Sequence, residues 1–210
     1  TLLRMGFANR RLTQAERTEI SDMKMLDATV DLIVTRGPSA TSLKEVGLKA
    51  GYSRGLASQR FGSKDKLMAF VLRNIGDVWL QQLKSATMQK TGIEAIHRAL
   101  DEHYRFCLEA PKRVRAFYTL WFESVNAGTE LEAIIEKIHK RRHQDVARWI
   151  VGEYKETEID SDRTELISSH FCVSVIGIVY YWLTKPEDHE HTKRLHDNLK
   201  NTMTLLLRER

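Results

Sequence analysis

The stretch AGYSRGLASQRFGSKDKL, Ala50 to Leu67, decides the fold. Gly51 and Gly62 stand where preceding elements must turn, and Ser53 and Ser63 stand at expected helix N-caps. A short helix, RGLASQRF, is therefore expected between Ser53 and Gly62. Ala57 and Phe61 lie four apart and share its inward face. Arg54, Gly55, Ser58, Gln59 and Arg60 are left to the outside. Such a mixture suits a helix that enters a DNA major groove: Arg54 to reach guanine acceptors, Gln59 to pair with adenine, and Gly55 and Ser58 to permit close approach. The same residues also suit a solvated helix face. A phosphate loop fits less well, because neither SRG nor FGSK follows the glycine spacing of a P-loop.

Upstream, TQAE reads as a capping box that opens a long helix near Thr13. Met23, Leu26, Val30 and Ile33 recur along it at helical spacing, and Gly37-Pro38 stops it. SLKE, Ser42 to Glu45, opens a second, short helix whose apolar positions are Leu43, Val46 and Leu48. Two short helices joined at Gly51 behind a longer one have helix-turn-helix anatomy. Phosphate contacts are expected from Thr41, Ser42, Arg60 and Lys64, with Tyr52 and Ser53 at the turn.

Downstream, Ser63 caps a long helix with Leu67, Phe70, Val71, Asn74, Ile75, Val78 and Leu83 as its stripe. Five more helical segments follow, over about 93–109, 111–126, 129–156, 161–183 and 187–208. No strand alternation is evident, and the fold class expected is all-α. Leu166 to Thr184 carries no Asp, Glu, Lys or Arg. A helix buried on all sides accounts for it as well as a membrane span does.

Met25 to Leu67 resembles the DNA-binding domain of the TetR family of transcriptional regulators. MLDATVDLIVTRG is similar to that family's first-helix signature, ATSLKEVGLKAGYSRG to its second helix and turn, and FGSKDKL to the link into its fourth helix. Two residues depart from the pattern: Gly47 where alanine is usual, and Ser58 where tyrosine is common. The resemblance implies a flexible basic arm over 1–12, a helix-turn-helix domain over 13–64, and an effector-binding and dimerisation domain over 65–210. It implies a cytoplasmic homodimer on a near-palindromic operator, with the last two helices at the dimer interface, the last one carrying Leu195, Leu199, Met203 and Leu206. It also implies a small apolar ligand, for which Trp79, Trp121, Phe122 and Phe171 are the chosen contacts. The other readings are a DNA-binding regulator without a small-molecule effector, and a helical lipid- or drug-binding module or enzyme.

Charge and composition bear on these readings. Residues 1–64 hold 11 Lys+Arg against 6 Asp+Glu, and residues 65–210 hold 22 of each, so the whole net charge of +5 lies in the first third. That asymmetry suits an anionic partner for the N-terminal part, including the arm with Arg4, Arg10 and Arg11. Cys107 and Cys172 are expected to be buried free thiols of a cytoplasmic protein, and no signal peptide is expected. No catalytic triad or paired-carboxylate arrangement stands out, and no enzyme or cofactor is expected. His139 and His143 share a helix face at a spacing that can bind a metal, but Lys140, Arg141 and Arg142 between them point to a solvated basic face. His189, His191 and His196 are expected at the surface.

Overall fold

Helix α1, Gln14–Arg36, starts at the capping box read from TQAE: Thr13 Oγ1 accepts from the Glu16 amide at 3.2 Å, and the Glu16 carboxylate accepts from the Thr13 amide at 2.7 Å. The structure, a computed structural model, describes residues 12–125, 130–154 and 159–208, and all secondary structure among them is helical. After α1 come α2 Leu43–Lys49, α3 Leu56–Phe61, α4 Lys64–Thr87, α5 Gly92–Glu109, α6 Pro111–Glu123, α7 Glu130–Glu153, α8 Ser161–Thr184 and α9 His189–Arg208. The expected arm (but for Leu12) and the expected helix ends at 126, 129 and 156 lie outside the described residues.

The head is built on a small core: Met25, Ala28 and Leu32 of α1, Val46 of α2, Ala57 of α3 and Leu67 of α4. The opposite side of α1 supplies Leu26, Val30 and Ile33 to a second core with α4, α6 and Trp182 of α8. Because α1 buries two sides, the single stripe expected from Met23 is incomplete. Met23 is exposed and Met25 is fully buried. Leu48 of α2 and Val78 of α4, both expected inward, are also exposed. The cut expected after residue 64 falls where α4 begins, although Leu67 of that helix closes the head's core. Lys112 and Arg113, at the start of α6, pair with Asp31 and Asp27 of α1 at 2.7 and 3.0 Å. Exposed pairs of this kind align elements more than they stabilise them.

The body is a helical bundle in which α5 packs on α4, α7 and α9, and α7 packs on α8. Thr91 gives α5 no side-chain cap. The Glu153 carboxylate of α7 accepts from the Ile93 amide at 2.9 Å instead. Helix α8 is long and apolar enough to cross a membrane by length and composition. Its Phe171, Cys172, Val175, Ile178, Val179 and Trp182 are buried in the chain's own cores. The stripe expected to serve a partner on α9 is spent within the chain: Leu199 and Met203 are buried against α5 and α8, and Leu195 and Leu206 are half-buried there.

A buried hydrogen-bonded chain ties α9 to the body. His196, expected at the surface, is only 1% exposed. Its Nδ1 lies 2.8 Å from the Thr192 carbonyl, which can only accept, so Nδ1 carries the proton. The His196 Nε2 therefore accepts, and His103 Nδ1 donates to it at 2.9 Å. His103 Nε2 then accepts from the Tyr118 hydroxyl at 3.3 Å. Burial lowers the pKa of both histidines, well below the ordinary value for His103, and so keeps them neutral. Burial also pushes the Cys107 thiol up to about 12 and raises that of Cys172, so both are poor nucleophiles.

Two stability measurements follow from this packing. Leu67→Ala is expected to lower the unfolding free energy by about 2–5 kcal/mol, the range for a buried leucine. Gly47→Ala would gain about 1 kcal/mol if helix propensity alone counted. A Cβ at Gly47 would lie 2.7 Å from the Ser53 carbonyl oxygen, a backbone atom of the turn, so the net effect is expected to be destabilising. Urea denaturation of both variants checks this.

The histidine chain sets a pH dependence. Both folded pKa values lie below the unfolded value, so the folded state binds fewer protons and the stabilisation is present above the unfolded pKa. Stability is expected to fall as pH drops below about 6.5, ahead of most carboxylate titration. In urea titrations from neutral to mildly acidic pH, the His103→Gln, His196→Gln double variant should show a shallower fall.

Candidate functional site

Helix α3 is placed by the turn before it. Gly51 adopts φ +83°, in the left-handed region expected of a tight turn, and the Tyr52 amide donates to the Gly47 carbonyl at 2.9 Å. Gly47 is therefore a close-approach position. Helix α3 begins at Leu56, later than Ser53 would predict. Gly55 is its N-cap with no side-chain cap, and the Leu56 amide donates to the Ser53 carbonyl at 3.2 Å. Ser53 and Arg54 thus belong to the turn rather than to the first helical positions. Ala57 is fully buried and Phe61 packs on Phe70 at 5.0 Å between ring centroids. Those two anchors leave Ser53, Arg54, Gly55, Ser58, Gln59 and Arg60 exposed.

The expected phosphate contacts are placed less uniformly. Arg60 is held by Asp22 of α1, with Nε and Nη2 on separate carboxylate oxygens at 2.8 and 2.5 Å. It braces α3 against α1, a role that a separation of 38 residues hid from the sequence. Thr41 is buried, and its hydroxyl donates to the Gly37 carbonyl at 2.9 Å, so it shapes the loop rather than facing a phosphate. The Ser42 hydroxyl caps α2, accepting from the Glu45 amide at 3.3 Å and donating to the Glu45 carboxylate at 2.8 Å. That bond and nearby Arg36 hold the Glu45 carboxyl below its ordinary range. Lys64 Nζ donates to the Ser39 carbonyl at 2.7 Å, which fixes the ammonium and leaves it two further donors. Lys24, which the sequence did not single out, lies 5.7 Å from the centre of the half-buried Tyr52 ring.

A second site lies inside the body. Trp79, His103, Tyr118, Arg142, Trp149 and Phe171 are among the residues around a cavity of about 30 Å³, room for little more than water. Of the four expected ligand contacts, Trp79 and Phe171 line it. Trp121 is buried just behind, its ring 5.1 Å from the Arg142 guanidinium. Phe122 does not line it and is 39% exposed, because one step along a helix turns a side chain by about 100°. The sequence carries no sign of His103, and Arg142, expected on a solvated basic face, is half-buried beside the cavity. His143 lies 3.0 Å from Ser169 Oγ, and the exposed His139 meets Trp121 edge-on, so the expected basic face is partly engaged. Among the described residues, no group of three or more His, Cys, Asp or Glu is placed to hold a metal.

Residues 25–70 match the family described as bacterial regulatory proteins, tetR family. An HTH-type transcriptional repressor of Mycobacterium tuberculosis is 33% identical over 102 residues, which is 49% of this chain and 52% of that protein. The chain thus spans about half the length of the curated relatives it matches. A transcriptional regulator from Rhodococcus sp. Rha1 superposes with a TM-score of 0.76 at 19% identity, over 89% of this chain and 96% of the other. AibR in complex with isovaleryl coenzyme A and operator DNA superposes with a TM-score of 0.68 at 16% identity, over 87% and 97%. Residues 25–70 are thus similar to the tetR family of bacterial regulatory proteins, and the helical body behind them has the fold of solved transcriptional regulators.

Proposed function

We propose that the protein is a cytoplasmic, homodimeric repressor of transcription that reads double-stranded DNA with α3 and is released by a small ligand in the body. The observation that carries this reading is the face of Ser53, Arg54, Gly55, Ser58 and Gln59, exposed on a short helix anchored by Ala57. Arg54, projecting from the turn, reads a base, and Gln59 with Ser58 reads its neighbours. Lys64 holds a phosphate with the donors that Ser39 leaves it, and Lys24 and Ser42 add positioning contacts. AibR, the neighbour solved with operator DNA, supports the same use of the head.

Dimerisation is supported by a stripe on α8. Leu166, His170, Val173, Gly177, Tyr180 and Thr184 recur at alternating spacings of four and three, and all six are exposed. Leu166, Val173 and Tyr180 are each about two-thirds exposed or more, a surface that a second copy would cover on closed two-fold symmetry. Ligand binding between Trp79 and Phe171 widens the cavity. Helix α6 runs from Tyr118 at the cavity to Lys112 and Arg113 on α1, so a displaced α6 tilts the head. The ligand acts only by binding one spacing of the two heads better than the other. The alternative, a DNA-binding regulator without a small-molecule effector, draws on the small volume of the cavity.

The two basic groups should fail differently. Arg54→Ala is expected to cost about 1–3 kcal/mol on the preferred operator and to relax preference at one position per half-site. Lys64→Ala should weaken operator and scrambled duplex alike and reduce the salt slope by about one for each phosphate left without its ammonium. Salt titrations of both variants on both duplexes check this, and equal weakening on the two duplexes for Arg54→Ala would reduce Arg54 to a phosphate anchor. For the dimer, Val173→Glu should convert a dimer to a monomer in sedimentation at micromolar concentration, and a monomeric parent protein would overturn the assembly.

A further inference from the structure

Arg142 is a cation placed among apolar and neutral groups. Its Nε is buried without a hydrogen-bond partner. Its Nη2 lies 3.5 Å from His139 Nδ1, and its guanidinium faces the Trp121 ring. Among the described residues no carboxylate lies within ion-pair distance of it. Asp145, one turn further along α7, is the acid nearest in sequence and borders the same cavity. That acid is committed elsewhere: Arg141 Nε lies 3.2 Å from both its oxygens, and Arg148 Nη2 donates to it as well. Both of those arginines are largely exposed, so the Asp145 charge is compensated from the solvent side.

The groups that lie against the Arg142 guanidinium, the Tyr118 hydroxyl and the Cys172 thiol among them, carry no charge to balance it. His103 spends Nε2 on Tyr118 and Nδ1 on His196. Burial pushes the Tyr118 hydroxyl up to about 12, so it stays protonated and is no counter-ion. Burial likewise lowers the pKa of His139. A half-buried guanidinium whose Nε is buried without a partner, and which has no acid, is costly to maintain, and it is placed where an incoming anion would meet that N–H. Flat walls face it across the cavity: Trp79, Trp149 and Phe171.

We propose that the cavity beside Arg142 takes a small organic carboxylate with an aromatic or similarly flat apolar body, its carboxylate on Arg142 and its body between Trp79, Trp149 and Phe171. This rests on the ligand-responsive reading above and narrows it from an apolar ligand to an anionic one. The space of about 30 Å³ is too small for such a molecule, so α7 must move from α4 and α5 as it enters. The carboxylate supplies the charge that Arg142 lacks, and that differential interaction selects the widened state.

The test uses 3-phenylpropanoate and its neutral analogue 3-phenylpropan-1-ol, titrated into the free protein and followed by tryptophan fluorescence. The acid is expected to bind the parent protein more tightly than the alcohol. Arg142→Gln should weaken the acid by about ten- to hundredfold, as expected for a charge-assisted bond, and leave the alcohol nearly unchanged. Arg142→Lys should fall between. No saturable acid binding, equal binding of acid and alcohol, or acid affinity unchanged in Arg142→Gln would each overturn the proposal. Should Arg142→Gln fail to fold, the contrast between acid and alcohol on the parent protein decides alone. Duplex binding is measured separately: weakened acid binding in Arg142→Gln with no DNA binding by the parent would sustain the site and remove the repressor reading.

Discussion

Helix α1 has to be buried on two sides at once, and the rest of the molecule is arranged around that requirement. Met25, Ala28 and Leu32 close the head, while Leu26, Val30 and Ile33 are inserted between α4 and α6. Neither core is complete without this helix. Burying each such side chain contributes about 1.5–3 kcal/mol, so the head cannot separate from the body without exposing one of the two rows. The head therefore follows the body as a packed unit. Asp27 and Asp31, on the outer edge of the same helix, receive Arg113 and Lys112 and set the rotation of α6 upon it.

Rigidity in the head is concentrated at α3. With only six residues, α3 is too short to be stable by itself. It is fixed by Ala57 beneath, Phe61 against Phe70, and Arg60 clamped on Asp22. Committing Arg60 to α1 removes one cation from the outward face and gives the others a defined position. Gly47 serves the same end, because the turn passes too close for any larger residue there. The departure from the family's usual alanine is thus matched by a local close approach.

The body concentrates its polar groups into one buried system. Tyr118, His103, His196 and Thr192 form a chain with every donor and acceptor along it assigned, running from α6 through α5 to α9. Arg142 lies at its α6 end without an acid of its own. A satisfied neutral chain beside an unsatisfied cation is an asymmetric arrangement, since low local polarity strengthens the first and penalises the second. It connects the cavity to α9, whose apolar stripe is spent on α5 and α8, while a row of α8 stays exposed.

The sequence by itself determined the helical class, most helix boundaries and the helix-turn-helix, because caps, glycines and apolar spacing are local signals. Thr13 with Glu16, Gly51 and Ser63 act within three or four residues of themselves, and each stands where its chemistry demands. It also marked the residues on the outward side of α3, since Ala57 and Phe61 fix which side is inward. Only the tertiary structure decided which helices bury two sides, and so why Met25 and not Met23 is in the core. It alone brought Asp22 to Arg60 and His196 to His103, pairs 38 and 93 residues apart. It alone turned Phe122 outward and left Arg142 among aromatic rings. Those outcomes depend on how helices pack against one another, and packing joins residues that no spacing along the chain connects.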